Sequence, residues 1–302
     1  MSQLPIGINL EFARLLLQHG ANVLVADLGL RPEAEKLVSE YQSTPKAVFQ
    51  RTDVTSWKDL ETMFEAATKH FGTIDIVCPG AGVFEPPFSN FWNPPGTKLS
   101  KDDPSGDRYK LLDINVTHPI RVTQMTISHF LNSDKPSSTS NPKTIVHIAS
   151  IAGETASLPF PLYHASKHAI VGFVRSLADL QGTHGIRVGA VLPGVVKTPL
   201  WTDNPEKLKI VSDDDVWVTP EEVAQVMLAI VKDDETNSSI GDDGAKVAIK
   251  GGSCLEVLAK AVRDVPIFNN EGPNGQVGSS VSDAGKVYAD VLSVLKPGWG
   301  KV

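Results

Sequence analysis

Short apolar runs alternate along the chain with longer stretches whose apolar residues recur every three or four positions. The runs Ala21–Asp27, Lys46–Gln50, Ile74–Cys78, Thr144–Ala149, Ile186–Leu192 and Ala245–Lys250 are short and rich in β-branched residues, which predicts buried strands. The periodic stretches between them predict helices. Leu10–Leu17 has helical spacing and a stop at Gly20. Pro32 opens a helix reaching Tyr41, and Ser56 caps one running through Lys69 to Gly72. Arg108–Leu131 and Tyr163–Gln181 are longer helices, and Thr219-Pro220-Glu221-Glu222 is a capping box with proline at the first helical position. Strands and helices taken in turn predict an α/β fold, a doubly wound parallel sheet of the Rossmann type.

Three stretches break the rhythm. Residues 83–107 carry Pro86, Pro87, Phe88, Phe91, Trp92, Pro94 and Pro95, which predicts an ordered, irregular insertion. Phe84, Phe88 and Trp92 either line a substrate pocket or close the insertion on itself. Residues 132–143 are rich in Ser, Asn and Pro and read as a surface loop. Beyond Gly251-Gly252 the pattern weakens to one helix at Asp283–Leu295, so we expect a core domain over residues 1–252 and a C-terminal extension, 253–302, packing on the core or closing the substrate side.

Composition narrows the partners. A net charge of −7 disfavours a nucleic-acid groove. No apolar run reaches the roughly 20 residues of a membrane span, and the N-terminus has no signal-peptide pattern. Cys78 and Cys254 are too few for a disulfide framework and form no C-x-x-C site. The expectation is a cytoplasmic protein. His118, His147, His164 and His168 lack metal-ligand spacing, so no metal site is expected.

The candidate chemistry lies in Ser150–Lys167, S-I-A-G-E-T-A-S-L-P-F-P-L-Y-H-A-S-K. If Tyr163 begins a helix, Lys167 lies one turn on along the same face. An ammonium close to a phenol favours the phenolate, and such a pair suits a general acid or base acting on an alcohol or ketone. Ser150 follows a strand, at the end where open α/β sheets place ligands. Asp27 ends another strand about twenty residues after Gly7, the distance from a glycine turn to a ribose-binding acid.

These residues resemble the active site of the classical short-chain dehydrogenase/reductases, and further motifs extend the likeness over most of residues 6–252. The overall flavour, with Asp27 and V-C-P-G-A-G, is similar to fungal NAD-dependent hydroxyprostaglandin dehydrogenase-type members. The resemblance implies that Ser150 holds the substrate oxygen, Tyr163 transfers its proton, Lys167 binds the nicotinamide ribose, and Asn115 bends its helix and holds a water linking Lys167 to solvent. It assigns NAD to Gly7, Ile8, Asp27, Asp53, Val54, Gly80, Ala81, Gly82, Tyr163, Lys167, Pro193, Gly194, Val196 and Thr198, and it makes residues 200–218 a mobile lid.

The likeness departs from the family's pattern at two places. Asn9 stands where the family has the third glycine of its phosphate loop, and Pro79-Gly80 replaces Asn-type positions. The family's first strand and first glycine have no counterpart, so the domain is expected to be N-terminally incomplete. The flanking strands would then pair directly, or a segment of the extension or a partner chain would fill the place. The implied activity is reversible NAD-linked oxidation of a secondary alcohol on an apolar or amphipathic small molecule, in a homodimer or homotetramer. The alternative is a binding, scaffold, cyclase or isomerase protein on the same fold with impaired cofactor binding.

Overall fold

The computed structural model describes residues 7–203, 208, 212, 215–232, 246–259, 261–267 and 284–300. The first half alternates β and α: α1 (Ile8–Gln18), β1 (Val23–Asp27), α2 (Pro32–Glu40), β2 (Ala47–Arg51), α3 (Trp57–Phe71) and β3 (Ile76–Val77). After the insertion come α4 (Lys110–Leu112), a π-helical turn at Asp113–Thr117, α5 (His118–Asn132) and β4 (Lys143–Ile148). A 3-10 turn at Ile151–Gly153 leads to α6 (Pro161–Ser176), α7 (Leu180–His184) and β5 (Ile186–Pro193). Then follow α8 (Pro199–Thr202), α9 (Pro220–Lys232), β6 (Cys254–Leu258), β7 (Ala261–Asp264) and α10 (Ala284–Val294).

The local signals act as their chemistry requires. Ser56 Oγ accepts from Asp59 N at 3.2 Å to cap α3. Thr219 and Glu222 exchange bonds of 3.1 and 2.7 Å at the start of α9. Gly20 takes a φ of 86° after α1, where a side chain would be strained.

Strands β3, β4, β5 and β6 pair in that order and in parallel, with β7 antiparallel at the edge. Helices cover both faces. Phe12 of α1 joins Val223, Met227 and Ile230 of α9 against Val191 and Leu255. On the other face Phe130 of α5 and Ile170 and Val174 of α6 pack on Ile145 and Val188. This is the doubly wound architecture. Strand β5 is buried over all eight residues, as a strand covered on both faces must be.

The last parallel strand is displaced from its expected place. Lys246–Lys250 forms no strand, while Cys254–Leu258 pairs with β5. The reason is burial. A position beside β5 is covered on both faces, and Cys254–Val257 offers four consecutive buried residues, whereas 246–250 alternates between exposed and covered. The sheet therefore continues past Gly252 as far as Asp264. Beyond it, Trp299 packs on the core and its carbonyl accepts from Ser128 Oγ and Asn132 Nδ2, both at 2.9 Å.

The sheet falls into two parts. Strand β1 pairs, among the described residues, with β2 alone and β3 with β4 alone. Among the described residues neither direct pairing of β1 with β3 nor a segment of the extension joins them. Both strands line instead one cavity of about 1360 Å³, whose walls here are apolar: Val23, Leu24 and Val25 on one side, Ile74, Ile76 and Val77 on the other. No described helix is long and apolar enough to cross a membrane.

Candidate active site

The C-terminal ends of β4 and β5 and the first turns of α6 meet at the cavity. Ser150, just after β4, caps the 3-10 turn by accepting from Ala152 N at 3.2 Å, and its Oγ donates to the Pro193 carbonyl at 3.5 Å. Ser150 and Tyr163 line the same part of the cavity. Tyr163 is the third residue of α6, so Lys167 follows one turn later on the same face. Lys167 is 7% exposed; its Nζ donates to the Ile148 carbonyl at 3.0 Å and lies 5.5 Å from the Tyr163 ring centroid.

The electrostatics differ from a simple ammonium–phenolate pair. Desolvation raises the Tyr163 phenol above its ordinary value, opposed by the polar side chain of Ser150 nearby. Burial also pushes the Lys167 ammonium down to about 8. Lys167 binds a carbonyl and sits over the ring, so it does not dominate the phenol's titration as the sequence suggested. The phenol is protonated at neutral pH.

Asn115 lies behind the cavity wall, 2% exposed, within the π-helical turn. Its side chain pairs with the backbone of Val83 like a neighbouring strand: Oδ1 accepts from Val83 N and Nδ2 donates to Val83 O, both at 2.9 Å. Nδ2 also reaches Ser166 Oγ at 3.2 Å, and Ser166 Oγ donates to the Tyr163 carbonyl at 2.7 Å. Asn115 thus braces the Ala81-Gly82-Val83 turn against α6. A Cβ on Gly82 would lie 3.5 Å from Asn115 Oδ1 and 3.9 Å from Lys167 Nζ.

The other predicted residues surround the same cavity: Gly7, Ile8, Asp27, Asp53, Val54, Gly80, Ala81, Gly82, Pro193, Gly194, Val196 and Thr198. Asp27 is exposed at the end of β1, its Oδ1 accepting from Leu28 N at 2.7 Å. Asp53 closes a turn by accepting from Thr55 N at 2.9 Å. Gly7 is the N-cap of α1 without a side-chain cap, so first-turn N–H groups are left to meet an anion. Gly194 N donates to Val257 O at 3.0 Å, and Val196 bridges to Val218. Thr198 stands at the N-cap of α8 without a side-chain capping bond and is 7% exposed. Across the mouth, Arg31 pairs with Asp203.

Sequence reasoning missed two residues here. Asn9 Nδ2 donates to the Gly80 carbonyl at 3.0 Å, tying the start of α1 to the turn after β3. Gly80 makes room for it, since a Cβ there would lie 2.2 Å from Asn9 Oδ1. The Asn at a glycine position and the Gly at an Asn-type position were both visible; their pairing, 71 residues apart, was not. The other is Glu85, whose buried carboxylate accepts from Tyr163 N at 2.9 Å.

Of the insertion aromatics, Phe84 faces the cavity. Its ring lies 4.7 Å edge-on from Tyr163, 4.6 Å from Phe160 and 5.2 Å from Trp201, and Trp201 stands 6.0 Å from Trp217. Phe88 lies under Lys101, and Trp92 packs on Phe91 and donates from Nε1 to the Leu158 carbonyl at 2.9 Å. Phe88 thus closes the insertion on itself, while Trp92 also ties it to the segment before α6. Much of the expected lid, including 204–207 and 209–211, lies outside the described residues. Among the described residues no group of three acidic, His or Cys side chains is placed to hold a metal.

The sequence model described as short chain dehydrogenase matches residues 5–209. "Short-chain dehydrogenase reductase 5" of Arabidopsis thaliana is 31% identical over 255 residues, 81% of this chain and 92% of that protein. The rat 15-hydroxyprostaglandin dehydrogenase (NAD(+)) is 27% identical over 250 residues, 78% of this chain and 85% of its own. The mitochondrial borneol dehydrogenase of Lavandula x intermedia is 30% identical over 258 residues, 83% of this chain and 91% of its own. In fold, the chain is similar to a 3-ketoacyl-(acyl-carrier-protein) reductase from Brucella melitensis solved with NADH. Their TM-score is 0.63 at 21% identity, over 83% of this chain and 92% of that one.

Proposed function

The chain belongs to the short-chain dehydrogenase/reductase family of oxidoreductases, and on that premise we propose that it interconverts a secondary alcohol and a ketone on an apolar small molecule, with NAD as cofactor. The observation that carries this is Tyr163 and Lys167 one turn apart on α6, beside Ser150 after β4, all lining the cavity that Asp27 also lines.

The residues suit a dinucleotide. Uncapped N–H groups at the start of α1 suit a pyrophosphate. Asp27 suits ribose hydroxyls and repels a 2′-phosphate. Lys167 suits the second ribose, and Thr198 with the Pro193–Val196 turn suits the carboxamide. When bound, NAD supplies the hydride acceptor.

Everything else is done by the chain. In ketone reduction the protonated Tyr163 phenol donates to the carbonyl oxygen while Ser150 Oγ holds that oxygen. In alcohol oxidation Tyr163 must first lose its proton. Its raised pKa therefore makes oxidation climb with pH through the alkaline range, while reduction is already served at neutrality. Charge on Lys167, lost above about 8, favours the phenolate. Asn115 holds the turn that these groups face. Phe84, Phe160 and Trp201 line the substrate end, with Trp217 edge-on to Trp201, which selects a ring-bearing or long apolar alcohol. Two copies pairing through α5 and α6 belong to the same proposal; a monomeric mass by light scattering would remove that part.

The test is NADH formation from cyclic and aryl-alkyl secondary alcohols. Tyr163→Phe should lower turnover by about 10²–10⁴-fold with the unfolding midpoint unchanged. Near-normal turnover in the variant would show that another group moves the proton.

A further inference from the structure

Glu85 lies in the insertion, 78 residues before Tyr163 in the chain, yet it is 1% exposed and bonded to the reactive helix. Helix α6 begins badly. Phe160, its N-cap, offers no side-chain acceptor, and Pro161 has no N–H. The N–H groups of the next residues remain to be satisfied. Glu85 Oε2 takes the one on Tyr163, at 2.9 Å. The remaining oxygen, Oε1, accepts from Phe91 N at 3.2 Å, and the Glu85 carbonyl accepts from Asn90 Nδ2 at 3.2 Å. One carboxylate thus serves as a cap supplied from a distant loop. Its charge is also favourable at a helix N-terminus.

The backbone supports the same reading. Glu85 has a φ of 32°, in the region that favours glycine. A glycine would suit that backbone better, so what holds a glutamate there is its side chain. The neighbouring residue, Phe84, packs edge-on against the Tyr163 ring. The two consecutive loop residues grip Tyr163 from both sides, one at the backbone and one at the ring. The insertion is itself anchored further on, where Asp102 Oδ1 accepts from Lys110 N at 2.8 Å and Ser89 Oγ from Leu111 N at 2.9 Å.

We propose that Glu85 is a positioning residue: its carboxylate fixes the first turn of α6, and with it the Tyr163 phenol, relative to the loop that forms the substrate wall. This rests on the reading that Tyr163 transfers the proton. Neither the Ser150–Lys167 stretch nor the turn after β3 contains this residue, so the reactive group is set by a third segment.

The experiment uses the full chain and the variants Glu85→Ala and Glu85→Gln. Amide hydrogen exchange is followed at Tyr163 and, as a distant reference, through α9. Turnover is followed with NAD and the alcohol giving most NADH in the panel above. Alanine removes both acceptors, and exchange at Tyr163 should quicken while α9 stays unchanged. Its kcat should fall by roughly ten- to a hundredfold, the scale of a small displacement of a reacting group, with KM and NAD affinity little altered. Glutamine keeps one acceptor and should fall between wild type and alanine in both readouts. Unchanged exchange at Tyr163 in Glu85→Ala would overturn the proposal. So would exchange that quickens equally in α9, which would mark a general loss of structure. So would unchanged kcat in an active enzyme. If wild type turns over none of the alcohols, the proton-transfer reading fails, and the exchange data alone decide whether Glu85 holds the helix.

Discussion

The bond between Asn9 and Gly80 joins the two parts of the split sheet, and it can be measured. Asn9→Ala removes one amide-to-carbonyl bond at a site open to water, which should cost about 1 kcal/mol. Gly80→Ala is allowed by the backbone, since Gly80 is not among the positive-φ glycines. Its new Cβ would, however, meet Asn9 Oδ1 at 2.2 Å and Asn9 Cγ and Nδ2 at 2.8 Å. No side chain tolerates such contacts, so Asn9 must swing away, losing its bond and crowding its neighbours. Overpacking costs about 1–3 kcal/mol; with the lost bond the single variant should lose about 2–4 kcal/mol. In the double variant Asn9→Ala/Gly80→Ala the colliding atoms are gone, and the cost should return to about 1 kcal/mol. The coupling between the sites should thus be about 2–4 kcal/mol in magnitude, at the upper end of the range for residues in contact. Urea unfolding of the four proteins, followed by tryptophan fluorescence, gives the cycle. Additive losses, with the double variant the least stable, would refute this account of why asparagine and glycine face each other here.

Two further outcomes are expected. Asp27→Ala should narrow the preference for NAD over NADP, read by calorimetry at fixed ionic strength; comparable binding of both by the wild type would refute the role given to Asp27. His118 and His147 are buried, and desolvation lowers them to about 4 and 3. In the unfolded chain both gain a proton below about 6.5, so the stability they contribute is complete above that pH and drains away as pH falls toward 4. Each histidine should cost about 1.4 kcal/mol per pH unit across that window. His118→Gln should make the fall of the urea midpoint between pH 6.5 and 5 shallower; an identical slope would count against a neutral buried imidazole.

What the sequence revealed was local. The caps at Ser56 and Thr219, the stop at Gly20 and the buried run of β4 depend on neighbours a few residues away, and each stands where periodicity placed it. The helix spacing of Tyr163 and Lys167 was legible for the same reason. The last strand was placed at Ala245–Lys250 because that run looks apolar; Cys254–Leu258 looks no different, and only the two-sided cover beside β5 distinguishes them. Glu85 and Asn9 were illegible because their partners lie 78 and 71 residues away. The phenol's raised pKa could not be read from Y-x-x-x-K, because desolvation depends on what encloses the ring.

The interrupted sheet bears on how the molecule comes apart. Strands β1 and β2, with α2, pack through Leu37 and Ala47 on Ala13 and Leu17 of α1, the helix whose Phe12 reaches the larger core, and among the described residues no ladder ties them to the five-stranded part. Cooperative units of a protein open separately when few interactions span them. This lobe should therefore exchange its amides and meet proteases first, while β4 and β5 stay closed. It carries Asp27 and Asp53, whereas Ser150, Tyr163 and Lys167 belong to the larger part. On the proposed reading, warming would then loosen the residues assigned to the adenosine half of a dinucleotide before those assigned to proton transfer. The two bared strand edges, once the lobe swings away, would be the place where copies of the chain stick together.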